Sequence, residues 1–157
     1  MAIFFWSLTA LCVVINLIKD RKKLSLSMAV EIILLYTLLI NVGLGSLLAF
    51  YGHAFLADKV AVSIGWPTGN PFQLEVAAAN LAFGVLGVLC IRFRDNFWLA
   101  TGVGYAAFLF VAAYGHIRQM IIAGNYAVNN AGPVIFIGDI AVPLLILVLL
   151  FLRWKIK

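Results

Sequence analysis

Charge is what this chain has least of. Of its 157 residues 11% are charged and 65% are hydrophobic, whereas an average soluble domain carries about 25% charged residues. That shortage excludes a soluble globular domain. Acids are scarcer than bases, six Asp and Glu against eleven Lys and Arg. Cysteine is nearly absent. Cys12 and Cys90 have no metal-ligand spacing and no partner in a loop, so a disulfide framework is excluded and both read as small buried thiols. Nothing basic precedes the first apolar run, and the basic residues follow it. A cleavable signal peptide has the opposite arrangement. There are two histidines in all, which makes their surroundings informative.

Long apolar runs are what fills the chain. About 20 apolar residues cross the hydrocarbon core of a bilayer. Five such stretches fit, at about 2–18, 27–52, 73–91, 97–122 and 134–152. They take up nearly all of residues 1–157, so the expectation is an all-α integral membrane protein with one transmembrane domain and five transmembrane helices. The net charge of +5 then needs no nucleic acid to explain it. The bases stand at segment ends, where they set orientation. If five helices alternate, Lys19, Arg21, Lys22, Lys23, Arg92, Arg94, Arg153, Lys155 and Lys157 share one side, and Lys59 and Arg118 fall on the other. The excess of bases marks the cytoplasmic side. The N-terminus is therefore expected outside and the C-terminus in the cytoplasm, in a multi-pass protein of the cell (inner) membrane. Trp6 and Trp66 would lie at the outer interface, Trp98 and Trp154 at the inner one, where amphipathic rings are enriched.

Both histidines stand in the same triplet, Tyr51-Gly52-His53 and Tyr114-Gly115-His116. Each triplet closes an apolar segment. Each is followed by Gly-Asn (Gly69-Asn70, Gly124-Asn125), by a proline (Pro71, Pro133), and by a carboxylate early in the next segment (Glu75, Asp139). Helices two to five therefore read as a four-helix bundle of two related hairpins of the same orientation. The outer connections carry the specific sequence. Residues 64–72 hold two prolines, two glycines and a tryptophan, which predicts defined turns anchored at the interface. Residues 54–63 are expected to extend the second helix outward. Residues 124–133, rich in Asn and Gly, are expected to re-enter the membrane edge under cover of protein. The inner connections, 19–26 and 92–96, are short and charged. Gly43, Gly45, Gly84, Gly87, Gly102 and Gly104 offer small surfaces for close helix contact. Pro143 cannot donate to the Asp139 carbonyl, which predicts a kink of the fifth helix there.

The stretch from Ser63 to Glu75, with Tyr114-Gly115-His116, Gly124-Asn125 and Asn130-Ala131-Gly132-Pro133, resembles an uncharacterised family of small prokaryotic multi-pass membrane proteins. The likeness covers helices two to five. More distantly, the four-helix layout is similar to the DoxX/DoxD membrane bundles, some of them linked to quinone and sulfur redox chemistry. No active-site motif of that group stands in this sequence, so its chemistry is not carried over.

On this topology the outer leaflet gathers His53, Glu75, Asn80, His116, Gln119 and Asp139, with Asn125, Asn129 and Asn130 just above. His116 and Gln119 share a helix face. Ionisable groups inside a membrane segment cost roughly 2.5–3.5 kcal/mol at its centre, so they turn to the bundle interior and pair. His53, Glu75, His116, Gln119 and Asp139 are thus the candidate ligand-binding residues. His53, His116, Glu75 and Asp139 could together ligate a divalent metal, iron, manganese or zinc, although the Glu-x-x-His spacing of di-iron bundles is missing. A haem b between His53 and His116, with a glycine beside each for the ring edge, is a second possibility. A quinone, lipid or other amphiphile pocket is a third. The expected function is the binding of a small molecule or redox cofactor in an outer-leaflet pocket. The alternatives are a non-catalytic accessory subunit of a larger membrane complex, or a small transporter. A purely structural role, tying loops to the bundle, competes with all of them. Beyond the bilayer, the partners implied are such a complex or a second copy of the chain. Asn16 and Asn41 are expected to bond between helices, and Glu31 to pair with Lys22 or Lys23.

Overall fold

Lipid offers the backbone no hydrogen-bond partner, so a spanning chain must satisfy its amides within helices or a closed barrel. This chain takes the first solution. The computed structural model describes residues 2–156, and these form helices joined by short turns, with no strand among them. In order they are α1 (Ala2–Lys19), α2 (Leu26–Phe55), α3 (Ala57–Ile64), α4 (Phe72–Leu89), α5 (Asn96–Ala123), α6 (Val128–Ala131) and α7 (residues 134–156). Four helical stretches are long and apolar enough to cross a membrane. They are α2, α4, α5 and the stretch Val128–Ile156 that holds α6 and α7. The apolar helix α1 is shorter. Lys157, counted above with the inner-side bases, lies outside the described residues.

The bundle is held by α4 against α2 and by α7 against both α2 and α5, while α1 lies along α2. The core runs through Leu34, Leu38 and Val42 of α2, Trp98, Tyr105 and Leu109 of α5, and Val142, Ile146 and Leu149 of α7. The opposite faces are apolar too: Leu74, Val85, Val111, Ile121 and Val148 are exposed. A helix apolar all round is one whose solvent is also apolar.

Glycine sets the closest approach. A Cβ on Gly87 would sit 2.3 Å from the Gly43 amide nitrogen, and one on Gly84 would sit 2.8 Å from the Leu47 side chain. Gly102 fits under Ile146 and Leu150 in the same way. Gly45 and Gly104 have ordinary room around them. As expected from sequence, Asn16 and Asn41 bond between helices: Asn41 donates to Thr9 Oγ1 at 2.8 Å, and Asn16 to the Tyr36 hydroxyl.

Both longer distortions are π turns. Thr37–Leu44 inside α2 and Val134–Ala141 at the head of α7 are wound as π-helix. The second ends where Val142 N–H donates to Ile137 O, one residue before Pro143. At the place where Pro143 predicts a kink, the helix is wound as a widened turn, and that turn contains Asp139.

The two ends of the bundle differ. At one end Arg153 donates to Glu31 (Nε to Oε1, 2.9 Å) and to Asp95 (Nη2 to Oδ1, 2.8 Å). This ties α7 to α2 and to the α4–α5 turn. Glu31 therefore pairs across the bundle, not with the neighbouring Lys22 or Lys23, because the last turn of α7 delivers a buried guanidinium to it. Trp98 stands at the same end. It is fully buried, donates to Cys90 O at 2.9 Å, and has the guanidinium groups of Arg94 and Arg153 over its ring at 4.9 and 5.2 Å. Trp6 likewise packs against the core, whereas Trp154 is exposed as an interfacial ring should be. At the other end α2 does not simply continue outward. It breaks at Leu56 (φ −128°, ψ 32°), and α3 is a separate helix.

Candidate functional site

The end of the bundle that carries both histidines is capped by two turns of matching build. In each a glycine with positive φ, Gly69 at 70° and Gly124 at 60°, precedes an asparagine. The asparagine Oδ1 accepts from the amide two residues on: Asn70 from Phe72 N (2.9 Å) and Asn125 from Ala127 N (3.1 Å). These are Asx turns, which a short amide side chain forms readily after a left-handed glycine. The Gly-Asn pairs shared in sequence thus adopt the same local structure.

The two turns differ in what they bind next. Asn125 Nδ2 donates to Ile64 O at 2.8 Å, at the C-terminus of α3. That terminus is closed by Gly65 in the left-handed region (φ 77°), with Trp66 N donating to Ala61 O and Gly65 N to Val62 O, a Schellman end. Only glycine fits there, since a Cβ would meet the Asn125 amide at 2.5 Å. Asn129 Nδ2 adds a bond to Ser63 Oγ at 3.0 Å. The connection after α5 and the helix after α2 are thereby fastened together. Chain reversal at Gly65 lays the Trp66 ring over His116, with centroids 6.0 Å apart and planes 15° from parallel.

Each histidine is held by a neutral amide. His53 Nδ1 bonds Gln73 Oε1, and His116 Nδ1 bonds Asn130 Oδ1 at 2.8 Å. Asn130 is fully buried and donates its Nδ2 to Asn125 O (2.6 Å) and His116 O (3.4 Å). Gln73 is buried as well, but its Nε2 has no partner, and neither has the buried indole Nε1 of Trp66. On its other side His116 turns Nε2 to Asp139 Oδ2 at 3.9 Å. Both side chains keep little exposure, 13% and 14%, small enough that the pair faces protein more than its surroundings.

Of the five candidate residues, then, the structure joins His116 with Asp139. It gives His53 a different partner from the one expected. Glu75 is exposed and makes no bond to His53. Gln119 contributes its backbone, accepting from Asn125 N at 3.2 Å where α5 ends. Asn80 bonds within its own helix, to Val76 O at 2.9 Å. No hydrogen bond, ion pair or ring contact among the described residues joins the two histidine clusters. The four-residue metal set of His53, His116, Glu75 and Asp139 is not assembled: no group of three or more His, Cys, Asp or Glu able to hold a metal occurs among the described residues. For a haem, His116 has only Nε2 to offer, because Nδ1 is bonded to Asn130; that nitrogen faces Asp139 at 3.9 Å, with Trp66 over the ring.

Sequence reasoning did not single out Gln73, and it placed Asn130 and Trp66 near the site without pairing them with His116. It looked for carboxylates because charge is the usual partner of imidazole. In an apolar surround a neutral amide satisfies the N–H without burying an ion. The legible signal was position: each amide stands close behind the Gly-Asn turn.

A family model described as a family of unknown function, DUF6790, matches residues 1–157. No curated protein and no solved structure matches the chain. The distant likeness to the DoxX/DoxD bundles finds no support in these comparisons.

Proposed function

Since the chain belongs to the DUF6790 family, whose function is unknown, we propose its role from the geometry of the histidine end: it is a multi-pass protein of the cell membrane that binds the polar head of a small amphiphile there. One observation carries the reading. Gln73 Nε2 in the cluster of His53 and Nε1 of the Trp66 ring stacked on His116 are buried donors with no acceptor, and Trp6 Nε1, elsewhere in the bundle, is a third. Buried N–H groups are seldom left unpaired, and two such groups, one in each histidine cluster, ask for oxygen acceptors. A ring carrying carbonyls on an apolar tail, as in a quinone, offers oxygen acceptors of this kind. In this reading α1 spans as well, giving five crossings with the N-terminus outside, and the bases around Arg153 lie at the cytoplasmic face. The binding end is then in the outer leaflet.

Titration of a short-chain quinone into the protein in lipid nanodiscs, followed by calorimetry, tests this. Saturable binding is expected. Trp66→Phe and Gln73→Met each remove one donor while keeping bulk, and each is expected to weaken binding by up to about tenfold, from a net 0.5–1.5 kcal/mol per hydrogen bond. Absence of saturable heat, or affinities unchanged in both variants, defeats the reading.

A second reading is an accessory subunit that docks a larger membrane protein. It draws on the fastened outer turns, which present exposed Tyr126 and Val128 on a segment fixed by Asn125 and Asn130. Mild-detergent purification that recovers a second protein in fixed ratio, lost on Tyr126→Ser/Val128→Ser, favours it over ligand binding.

A further inference from the structure

The bonds around Asn130 decide which nitrogen of His116 carries hydrogen. Asn130 Nδ2 donates to two backbone carbonyls, Asn125 O at 2.6 Å and His116 O at 3.4 Å. A carbonyl can only accept, so the amide cannot be reversed. Its Oδ1 is therefore the atom 2.8 Å from His116 Nδ1. An amide oxygen also only accepts, so Nδ1 must be the N–H. That leaves Nε2, at 3.9 Å from Asp139 Oδ2, as the position whose protonation varies.

With His116 neutral and Asp139 ionised, a lone pair would face a carboxylate across this gap in a largely apolar surround. A net negative charge would stay inside a spanning segment with nothing to balance it. Among the described residues no lysine or arginine makes an ion pair with Asp139, from α1, α2, α5, α6 or the rest of α7. The other titratable group within electrostatic reach of Asp139 is the buried Tyr105 of α5, which supplies no positive charge. Trp66, stacked on the imidazole, brings none either. With both groups protonated, an imidazolium would lack its counter-ion. Only a single proton between the two leaves the cluster neutral.

We propose that His116 and Asp139 form a membrane-embedded proton-binding site that carries one proton in all, on either His116 Nε2 or Asp139 Oδ2, which face each other at 3.9 Å, with Asn130 fixing the tautomer. The site goes beyond the amphiphile reading and stands without it, because none of its contacts involves Gln73 or the Trp66 indole N–H. Proton gain and loss take place at one atom pair. On loss the lone pair of Nε2 and the carboxylate are left facing each other, so release requires a donor or cation to take the proton's place. The π-wound turn of α7, which carries Asp139, and the clamped end of α5 set the gap between them.

The test counts protons on the wild-type protein in nanodiscs near neutral pH. Histidine is labelled with 15N and aspartate carboxyl with 13C. His53→Gln removes the only other imidazole signal and Asp139→Asn removes the Asp139 signal, which assigns both; through-bond correlation in the wild type assigns them if either variant fails to fold. An imidazolium with an ionised carboxylate supports the site. So does an Nδ1-protonated neutral imidazole with a protonated carboxyl. A neutral imidazole beside an ionised carboxylate, two protons on the pair, or an imidazole protonated at Nε2 alone overturns it. Failure of quinone binding leaves this count unchanged, so the two proposals fail separately.

Discussion

At the scale of the residue, a few atoms decide whether the helices meet. Gly87 has backbone on its far side, and a methyl 2.3 Å from the Gly43 nitrogen cannot be relieved by a rotamer change. Gly87→Ala is therefore expected to lower stability by about 1–3 kcal/mol, the range for overpacking. Gly104→Ala, with the Phe83 ring at 3.5 Å, is expected to be tolerated; thermal unfolding in detergent compares the two. Cys90 is an equally sharp case. It is fully buried just beyond α4, and burial pushes its thiol up to about 11, against the smaller opposite effect of a Thr101 hydrogen bond. A raised thiol stays protonated, and so unreactive, at every pH below that value. Alkylation counted by mass spectrometry at mildly alkaline pH is expected to spare Cys90 in the folded protein and to modify it after denaturation. Asn130→Ala would strand the Asn125 carbonyl and the His116 N–H together, a loss of roughly 1–3 kcal/mol if each stays buried.

At the scale of the element, the turns at the histidine end show how one helix is positioned by another's loop. The helix α3 has eight residues, too few to be stable alone in water. Its C-terminus is held by Asn125 and its last turn by Asn129 at Ser63. Asn125→Ala is expected to leave the spanning helices intact and to speed amide exchange across Ala57–Ile64; unchanged exchange there would show that these bonds do not hold it. The turn at the opposite end follows different chemistry. Asp95 has positive φ (56°) without being glycine, and its carboxylate reaches Arg153 instead of capping α5.

At the scale of the whole molecule, the arginine near the C-terminus closes the bundle. Arg153 joins the start of α2, the α4–α5 turn and the end of α7. Arg153→Met removes both bonds and is expected to cost about 1.5–3 kcal/mol, because charge-assisted bonds are lost while both acids keep contact with their surroundings. Asp95→Asn is expected to cost less than about 1 kcal/mol, since Asp95 is well exposed and solvent screens its pair. Chemical denaturation in matched micelles ranks the two. The same end carries most of the bases, so reporter fusions at the C-terminus are expected to be active in the cytoplasm. A periplasmic signal would reverse the proposed orientation and place the histidine end in the inner leaflet.

Much of this arrangement is written locally. Apolar length alone marks the spans, since a 20-residue apolar run has one stable form in lipid. The helices α2, α4 and α5 begin and end within a few residues of where Gly, Pro and charge interrupt the runs. The Gly-Asn turns are local too, as is the distortion before Pro143. What the linear order could not decide were contacts between distant segments. Glu31 takes Arg153, 122 positions away, over its neighbours Lys22 and Lys23. Trp98 turns into the protein, where its ring meets the guanidinium groups of Arg94 and Arg153. His53 chooses Gln73 over Glu75, and Asn125 reaches back 61 positions to Ile64. The sequence by itself determined the solvent, the helices and the punctuation between them, because those depend on hydrophobicity and on backbone chemistry within a few residues. Only the tertiary structure decided the partner of each polar group. In an apolar medium any donor would bond almost any acceptor, and helix packing selects which ones meet.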